Sequence, residues 1–246
     1  MAAGHAPELE GQTVVVIGGS AGIGLETARR ARAEGAEVVI AGRNPERLAR
    51  AAAEVGARQT AAFDAGDLEA MEEFFAGLEA LDQVMVTAGG PYYAPLAEMD
   101  FDKAAQGLAD HPLLMLGVAR FAGPKVRPGG GFVFMGGTGG RDPSAGAGIV
   151  GAGTAALPAL TRSLAVEIAP VRVNLIAAGF VDTPLSASLL GDGLEARREE
   201  LRRRLPIGRV VGPEDVAALA VHIMSNTALT GATFDIDGGQ QLVAHA

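Results

Sequence analysis

The sequence contains no cysteine and no tryptophan, and aromatic residues make up only 4% of its 246 residues. The absence of cysteine excludes disulfides, thiolate metal ligands and a cysteine nucleophile. Positive charge is also scarce, since 20 Lys and Arg face 29 Asp and Glu for a net charge of −9. A chain with a net negative charge is poorly suited to attract nucleic acid electrostatically. We therefore expect neither a metal site nor a nucleic-acid partner.

The sequence also shows no targeting signal. Its first residues, MAAGHAPELEGQ, lack the apolar core of a signal peptide, which predicts a cytoplasmic protein without a membrane partner. Residues 143–161 carry no charge, but they include two prolines and four glycines. Because this stretch is small rather than strongly apolar, it is interpreted as buried protein and not as a transmembrane helix.

Apolar runs alternate with helical stretches along the whole chain. The runs VVVIGG, VVIAG, QVMVTAG, FVFMGG and VRVNLI are continuous rather than alternating, as in strands that are buried on both faces of a parallel sheet. Repeated strand–helix units without a linker predict one domain over residues 1–246. The predicted fold is α/β, a Rossmann-type doubly wound parallel sheet of about seven strands with helices on both faces.

A glycine-rich loop follows the first predicted strand and precedes a helix. Its glycines are spaced Gly-x-x-x-Gly-x-Gly, which permits a tight turn and close approach of the backbone to a pyrophosphate. The helix N-terminus then offers free N–H groups to the phosphates. This context favours nucleotide binding over a simple turn. The predicted contacts are Gly18, Ser20, Ala21, Gly22, Ile23 and Gly24.

The end of the second predicted strand indicates which dinucleotide is bound. An acidic residue there would bind the ribose 2′-hydroxyl, but the sequence reads Gly42-Arg43-Asn44. Arg43 is suited to hold a 2′-phosphate, with Asn44 beside it, and no carboxylate is present to repel one. The pattern favours NADP(H) over NAD(H), and the alternative is a solvated surface arginine.

From about Leu9 to Gln241 the chain resembles the short-chain dehydrogenase/reductase family. The resemblance is carried by the glycine loop, by Thr87-Ala88-Gly89, by LTRSLAVEIAP followed by VRVN, by Ala178 to Thr183, and by RLPIGRVVGPEDVA and TGATFDIDGG. It implies further cofactor contacts, a small-molecule substrate, a lid over about residues 184–209, and a homodimer or homotetramer. The implied contacts are Asp64 and Ala65 at the adenine, Ala88, Gly89 and Gly90 at the ribose, and Val181 and Thr183 at the nicotinamide carboxamide.

The family's catalytic residues are missing from the matching positions. Members use Ser, Tyr and Lys, with an Asn from the preceding helix. Counted back from LTRSLA, those positions hold Gly137, Val150 and Thr154, and the Asn position falls on His111. Loss of a general acid costs on the order of 10²–10⁴ in rate. The family's usual chemistry is therefore unsupported, although positioned hydride transfer is not excluded.

Three stand-ins for the proton donor are considered. His111 titrates near neutral pH and could donate a proton, with Asp110 orienting it; the alternative is a histidine at a helix turn broken by Pro112. Tyr92 and Tyr93 lie near the ribose loop, where an aromatic lid is the favoured interpretation. Thr138 follows the fifth strand and would supply the serine hydroxyl one residue late.

Arginines near the predicted substrate end admit two interpretations. Arg141 would bind an anionic substrate or pair with Asp142 and surface acids. The segment 194–209 carries six arginines, which would either steer a phosphate-bearing acyl carrier or form a solvated helix that pairs with Glu195, Glu199 and Glu200. The solvated helix is favoured.

The helix with Val150 and Thr154 also carries Pro158 and upstream glycines. Proline removes an N–H and clashes with the carbonyl four residues earlier, so we expect this helix to start late or to kink near 154–158. Its small face, Gly151, Ala155, Ala159 and Ser163, would let another helix approach closely.

Three functions remain open at this point. The first is an NADP(H)-dependent oxidoreductase with an atypical site that uses His111, Tyr92 or Tyr93. The second is a catalytically inactive NADP(H)-binding protein, serving as a sensor or partner subunit. The third is a lyase or isomerase, against which the intact glycine loop and Arg43 weigh.

Overall fold

The computed structural model of the protein describes residues 8–141 and 144–243. These residues form a seven-stranded parallel sheet with the order β3-β2-β1-β4-β5-β6-β7. The predicted doubly wound parallel α/β fold is confirmed. The strands are β1 (Thr13–Ile17), β2 (Glu37–Gly42), β3 (Gln59–Ala62), β4 (Leu81–Val86), β5 (Val126–Gly137), β6 (Arg172–Ala178) and β7 (Thr233–Ile236).

Helices cover both faces of the sheet. One buried cluster joins the sheet to α1, α2 and α8, and the other joins it to α3, α4 and α5. The helices are α1 (Gly22–Ala33), α2 (Pro45–Val55), α3 (Leu68–Ala76), α4 (Phe101–Ala122), α5 (Gly148–Glu167), α6 (Pro184–Leu190), α7 (Leu194–Arg204), α8 (Pro213–Ser225) and α9 (Gln240–Val243). The two faces thus have separate cores divided by one sheet.

Two helices contain an internal proline. Pro112 lies inside α4 and Pro158 inside α5, and each helix continues through its proline. The late start considered for α5 is wrong, because the helix begins at Gly148. The alternative expectation, a kink near residues 154–158, stays a prediction. His111 consequently lies in the middle of α4 and not at a broken turn. Packing of both helices against the sheet outweighs the local cost of proline.

α5 is also less buried than the sequence suggests. By length and composition alone, it is the one helix in the described part of the chain that could span a membrane, and only 17% of its most apolar window is buried. The interpretation of residues 143–161 as buried protein is therefore wrong for the single chain; Pro143 itself lies outside the described residues.

The first residue of β6, Arg172, is a buried cation. Its guanidinium donates to the carbonyls of Ile223 (2.9 Å) and Met224 (2.8 Å) in the last turn of α8 and to that of Gly129 (3.0 Å) before the buried part of β5. No carboxylate pairs with it among the described residues. Backbone dipoles at the C-terminal end of α8 therefore carry the stabilisation of this charge.

Candidate functional site

The glycine loop after β1 has no space for a side chain at Gly18 or Gly24. A β-carbon built on Gly18 would lie 2.5 Å from Thr87 Oγ1, and one on Gly24 would lie 2.3 Å from the carbonyl oxygen of Gly18. Gly18 also has φ +90° and Gly22 has φ +52°, in the left-handed region. The close approach of β1, α1 and the loop after β4 thus depends on these glycines.

Helix α1 begins inside the glycine motif, at Gly22. Ala21 is its extended N-cap, no side chain caps the helix, and its first turn carries no acidic residue. The free N–H groups and the positive end of the helix dipole are therefore exposed to the space in front of the loop. This end of the site fits a pyrophosphate, as the sequence predicts.

One cavity of about 2130 Å³ opens where the carboxyl ends of the strands meet. Ligand pockets commonly measure roughly 300–1,000 Å³, so this cavity is about twice the upper end of that range. Its wall brings together every predicted site residue: Gly18, Ser20, Ala21, Gly22, Ile23, Gly24, Arg43, Asn44, Asp64, Ala65, Ala88, Gly89, Gly90, Tyr92, Tyr93, His111, Gly137, Thr138, Val150, Thr154, Val181 and Thr183.

The end of the cavity beside β2 is basic and exposed. The Arg43 guanidinium lies 3.8 Å from the Asp64 carboxylate, and both side chains are mostly exposed. Asn44 is the N-cap of α2, because its Oδ1 accepts from the N–H of Arg47 at 2.8 Å. Arg47 also lines the cavity. Arg43, despite its contact with Asp64, and Arg47 thus both border this end, and exposed guanidinium groups are suited to a phosphate monoester.

The segment after β6 is held from two sides. Val181 pairs with Val211, and Asp182 accepts two hydrogen bonds from the Arg198 guanidinium of α7, both 2.8 Å long. Thr183 caps α6 through Ser186 and lies against the glycine loop, where a β-carbon on Gly22 would be 3.4 Å from its Cβ. The predicted nicotinamide residues therefore sit in a fixed segment opposite the phosphate loop.

The three positions that the sequence predicts to match the family's Ser, Tyr and Lys hold no acidic side chain. Gly137 and Val150 have no polar side chain. The Thr154 hydroxyl donates within its own helix, to the carbonyl of Val150 at 2.8 Å or that of Gly151 at 3.1 Å. A β-carbon on Gly137 would be in ordinary contact, 3.4 Å from Thr154 Cγ2. The missing serine is therefore not a consequence of lack of space.

His111 faces the cofactor loop. A β-carbon on Gly89 would lie 3.0 Å from Nε2 of His111, so the imidazole rests on the backbone of that glycine. Its side chain makes no hydrogen bond to any residue that the structure describes. Burial lowers the pKa of His111 below its usual 6.5, and the charge of Asp110 opposes this only in part. The ring is therefore mostly neutral at pH 7.

The two tyrosines differ in their surroundings. The Tyr92 hydroxyl is engaged by the backbone of Asp100, whose N–H donates to it at 3.1 Å, and this contact ties the loop after β4 to the N-cap of α4. Tyr93 is 56% exposed, and partial burial raises its pKa above 10. Thr138 is buried at the end of β5 and lines the cavity.

The arginines near this end are engaged in ion pairs. Arg141 makes a bidentate pair with Asp235 at 2.6 and 2.7 Å, and its other predicted partner, Asp142, lies outside the described residues. On α7, Glu195 pairs with Arg198 and Arg202, and Glu200 pairs with Arg197 and Arg204. Glu199 makes no ion pair within the described chain. The structure thus favours the solvated helix over an anion-steering surface.

A family model described as enoyl-(acyl carrier protein) reductase matches residues 18–241. The chain belongs to the short-chain dehydrogenase/reductase family. The family member ATR9 of Stachybotrys chlorohalonatus is 30% identical over 95% of this chain and 98% of its own. Among solved structures, MalC reductase/Diels-Alderase of Malbranchea aurantiaca superposes with a TM-score of 0.88 at 26% identity, over 96% of this chain and 99% of that one.

Another solved family structure, a small-chain dehydrogenase in complex with NADPH, matches with a TM-score of 0.82 at 26% identity, over 95% of this chain and all of that one. The chain is thus a member of an oxidoreductase family, and its glycine loop and free helix N-terminus suit a nicotinamide dinucleotide. When bound, such a cofactor would supply or accept a hydride.

Several residues of the cavity wall were not predicted from the sequence. Arg47 follows Arg43 by four residues, a spacing that becomes informative only once α2 is known to start at Pro45. Lys103 and Gln106 of α4 line the same cavity as His111.

Proposed function

We propose that the protein is an NADP(H)-dependent oxidoreductase that interconverts a carbonyl and an alcohol on a small molecule, with His111 as the proton donor in place of the family's tyrosine. The observation that carries the proposal is the packing of the imidazole against Gly89, beside the predicted cofactor loop and without a hydrogen-bond partner in the described chain. Arg43 and Arg47 support the choice of NADP(H) over NAD(H).

Each group of residues in the cavity wall has a separate proposed role. The glycine loop and the N-terminus of α1 would hold the pyrophosphate, Arg43 would hold the 2′-phosphate, and Val181 to Thr183 would orient the nicotinamide. Negative charge develops on the substrate oxygen during carbonyl reduction, and the His111 imidazolium would give its proton to that oxygen. The ring becomes neutral and is reprotonated from solvent.

The pH dependence follows from the lowered pKa of His111. Only the protonated ring can give up a proton and become neutral, so reduction should slow as pH rises through a pKa below 6.5. The measurement is the initial rate of NADPH consumption with a carbonyl panel from pH 5 to 8. A rate that increases from pH 6 to 8 would contradict the assignment.

Variants separate His111 from the tyrosines. His111→Ala should abolish turnover while NADPH affinity, measured by fluorescence titration, stays unchanged. Tyr92→Phe and Tyr93→Phe serve as controls, since one hydroxyl is bonded to backbone and the other is largely exposed. Loss of turnover in a tyrosine variant alone would indicate that this tyrosine, on the loop after β4, is the proton donor.

A second candidate is an NADP(H)-binding protein without redox turnover, as a sensor or partner subunit. It is favoured by Val150 and by the Thr154 hydroxyl, which is bonded within its own helix. This candidate predicts tight NADPH binding and no consumption of NADPH with any carbonyl or alcohol. Turnover that depends on His111 would rule it out.

The exposed face of α4 and α5 supports self-association, and we extend the proposal to a homodimer or homotetramer. Leu108 and Leu116 are partly exposed on α4, and Val166 on α5 is 81% exposed in the single chain. Covering such surface stabilises association. Light scattering at micromolar concentration should show at least a dimer, and a stable monomer would refute this assignment.

A further inference from the structure

The cavity extends beyond the proposed nicotinamide position to a second end. The side chains on the walls of this end are apolar and solvent-exposed. Leu185 and Leu189 are four residues apart on α6, so they share one helix face, and both line the cavity. They are 50% and 51% exposed. Tyr93, which is 56% exposed, lines the same cavity from the loop after β4. Exposed apolar side chains collected in one concavity mark a binding surface.

The floor of this end is apolar because of the substitutions at the family's catalytic positions. Val150 stands where a tyrosine hydroxyl would be, and Gly137 contributes no side chain. The Thr154 hydroxyl is bonded to carbonyls of α5. The polar groups that a family member would present to its substrate are therefore absent from this floor.

Cations lining this end are already paired. Lys103 lies 3.4 Å from Asp100, and Arg197 lies 2.7 Å from Glu200. Asp110 also lines the cavity, makes no ion pair among the described residues and would repel an anion. An anionic ligand would compete with these carboxylate partners and lie near an unpaired carboxylate. Because burial lowers the pKa of His111, this ring adds little positive charge at pH 7.

We propose that the substrate body bound between Tyr93 and the Leu185/Leu189 face of α6 is apolar and uncharged, so the protein takes lipophilic carbonyl compounds and discriminates against carboxylates and phosphates. The inference rests on the proposed cofactor site, which lies in the same cavity. It goes beyond the reaction type by assigning the chemical class of the ligand.

A matched ligand pair tests the inference by binding, so the test does not depend on turnover. The NADPH-saturated protein is titrated calorimetrically with 2-decanone and with 9-oxodecanoate, which differ only in a terminal methyl or carboxylate. The ketone should bind about tenfold tighter or more. Equal or tighter binding of 9-oxodecanoate overturns the proposal, as does the absence of any ketone binding up to its solubility limit.

Variants of α6 locate the site. Leu189→Gln and Leu185→Gln should each weaken 2-decanone binding several-fold and leave NADPH affinity unchanged. Leu190→Gln is the matched control, since Leu190 is 39% exposed on the same helix but does not line the cavity. No effect of either cavity variant, or an equal effect of Leu190→Gln, overturns the assignment. If the wild type fails to bind NADPH, the proposed function fails instead, and the two failures are therefore distinguishable.

Discussion

The two ends of the cavity are built on different principles. At the cofactor end, the constraints lie in the backbone: β-carbons on Gly18 and Gly24 would lie 2.5 Å or less from their neighbours. At the catalytic end, the backbone tolerates change, since a β-carbon on Gly137 would make only ordinary contacts. A side chain could therefore be added at Gly137 without disturbing the fold, whereas a side chain at Gly18 or Gly24 would affect both fold and binding.

The largest predicted effect tests whether the catalytic end lacks only side chains. Restoring them in the triple variant Gly137→Ser, Val150→Tyr, Thr154→Lys should raise the rate of ketone reduction by about 10²–10⁴, the usual contribution of a general acid. The measurement is NADPH consumption with a simple ketone. The matched control carries Val150→Phe in place of Val150→Tyr, which adds the ring without the hydroxyl. Equal rates in the two triple variants would mean that the scaffold has also diverged.

The second prediction tests the backbone constraint at the cofactor end. Gly24→Ala forces a methyl group against the carbonyl oxygen of Gly18 and should weaken NADPH binding about a hundredfold, about 2.8 kcal/mol. Gly148→Ala is the control, because a β-carbon there meets nothing within 4 Å. Fluorescence titration gives the affinities and thermal melting reports the fold. Unchanged affinity in Gly24→Ala would remove the contrast between the two ends.

The third prediction concerns the choice of dinucleotide. The wild type should bind NADPH about tenfold tighter than NADH, about 1.4 kcal/mol, and Arg43→Ala should remove most of that difference. Arg50→Ala is the control, since Arg50 is exposed on α2 and does not line the cavity. Equal wild-type affinities for the two dinucleotides would contradict the assignment.

The smallest predicted effect concerns the ion pair between Arg198 of α7 and Asp182 in the segment after β6. Arg198→Ala should weaken NADPH binding by roughly threefold, because partly exposed ion pairs contribute about 1 kcal/mol or less. Arg202→Ala is the control, since Arg202 pairs only with Glu195 within α7. Asp182→Asn should match Arg198→Ala, and the double variant should add nothing further. Additive losses would show that the two side chains act separately.

The sequence predicted the sheet and the strand–loop–helix context of the glycine loop because each has a local pattern. Continuous apolar runs marked the strands, whereas the assignment of Val150 and Thr154 to catalytic positions, counted back from LTRSLA, stays a prediction. It did not predict the continuity of α4 and α5, because packing over whole helices outweighs a single proline. Nor did it predict the partners of Arg141 and Arg198, whose acids lie 94 and 16 residues away along the chain. Such contacts are set by topology and leave no local signal.

The cation at the start of β6 responds to salt differently from the arginines of α7. At 1 M salt the Debye length is about 3 Å, and exposed ion pairs such as Arg202–Glu195 are largely screened. Arg172 is held by carbonyls in the interior, where ions do not reach. Raising the ionic strength should therefore weaken the exposed ion pairs of α7. The buried contacts of Arg172 at the junction of β5, β6 and α8 should stay intact. Amide hydrogen exchange at low and high salt would resolve the two regions within one unmodified molecule.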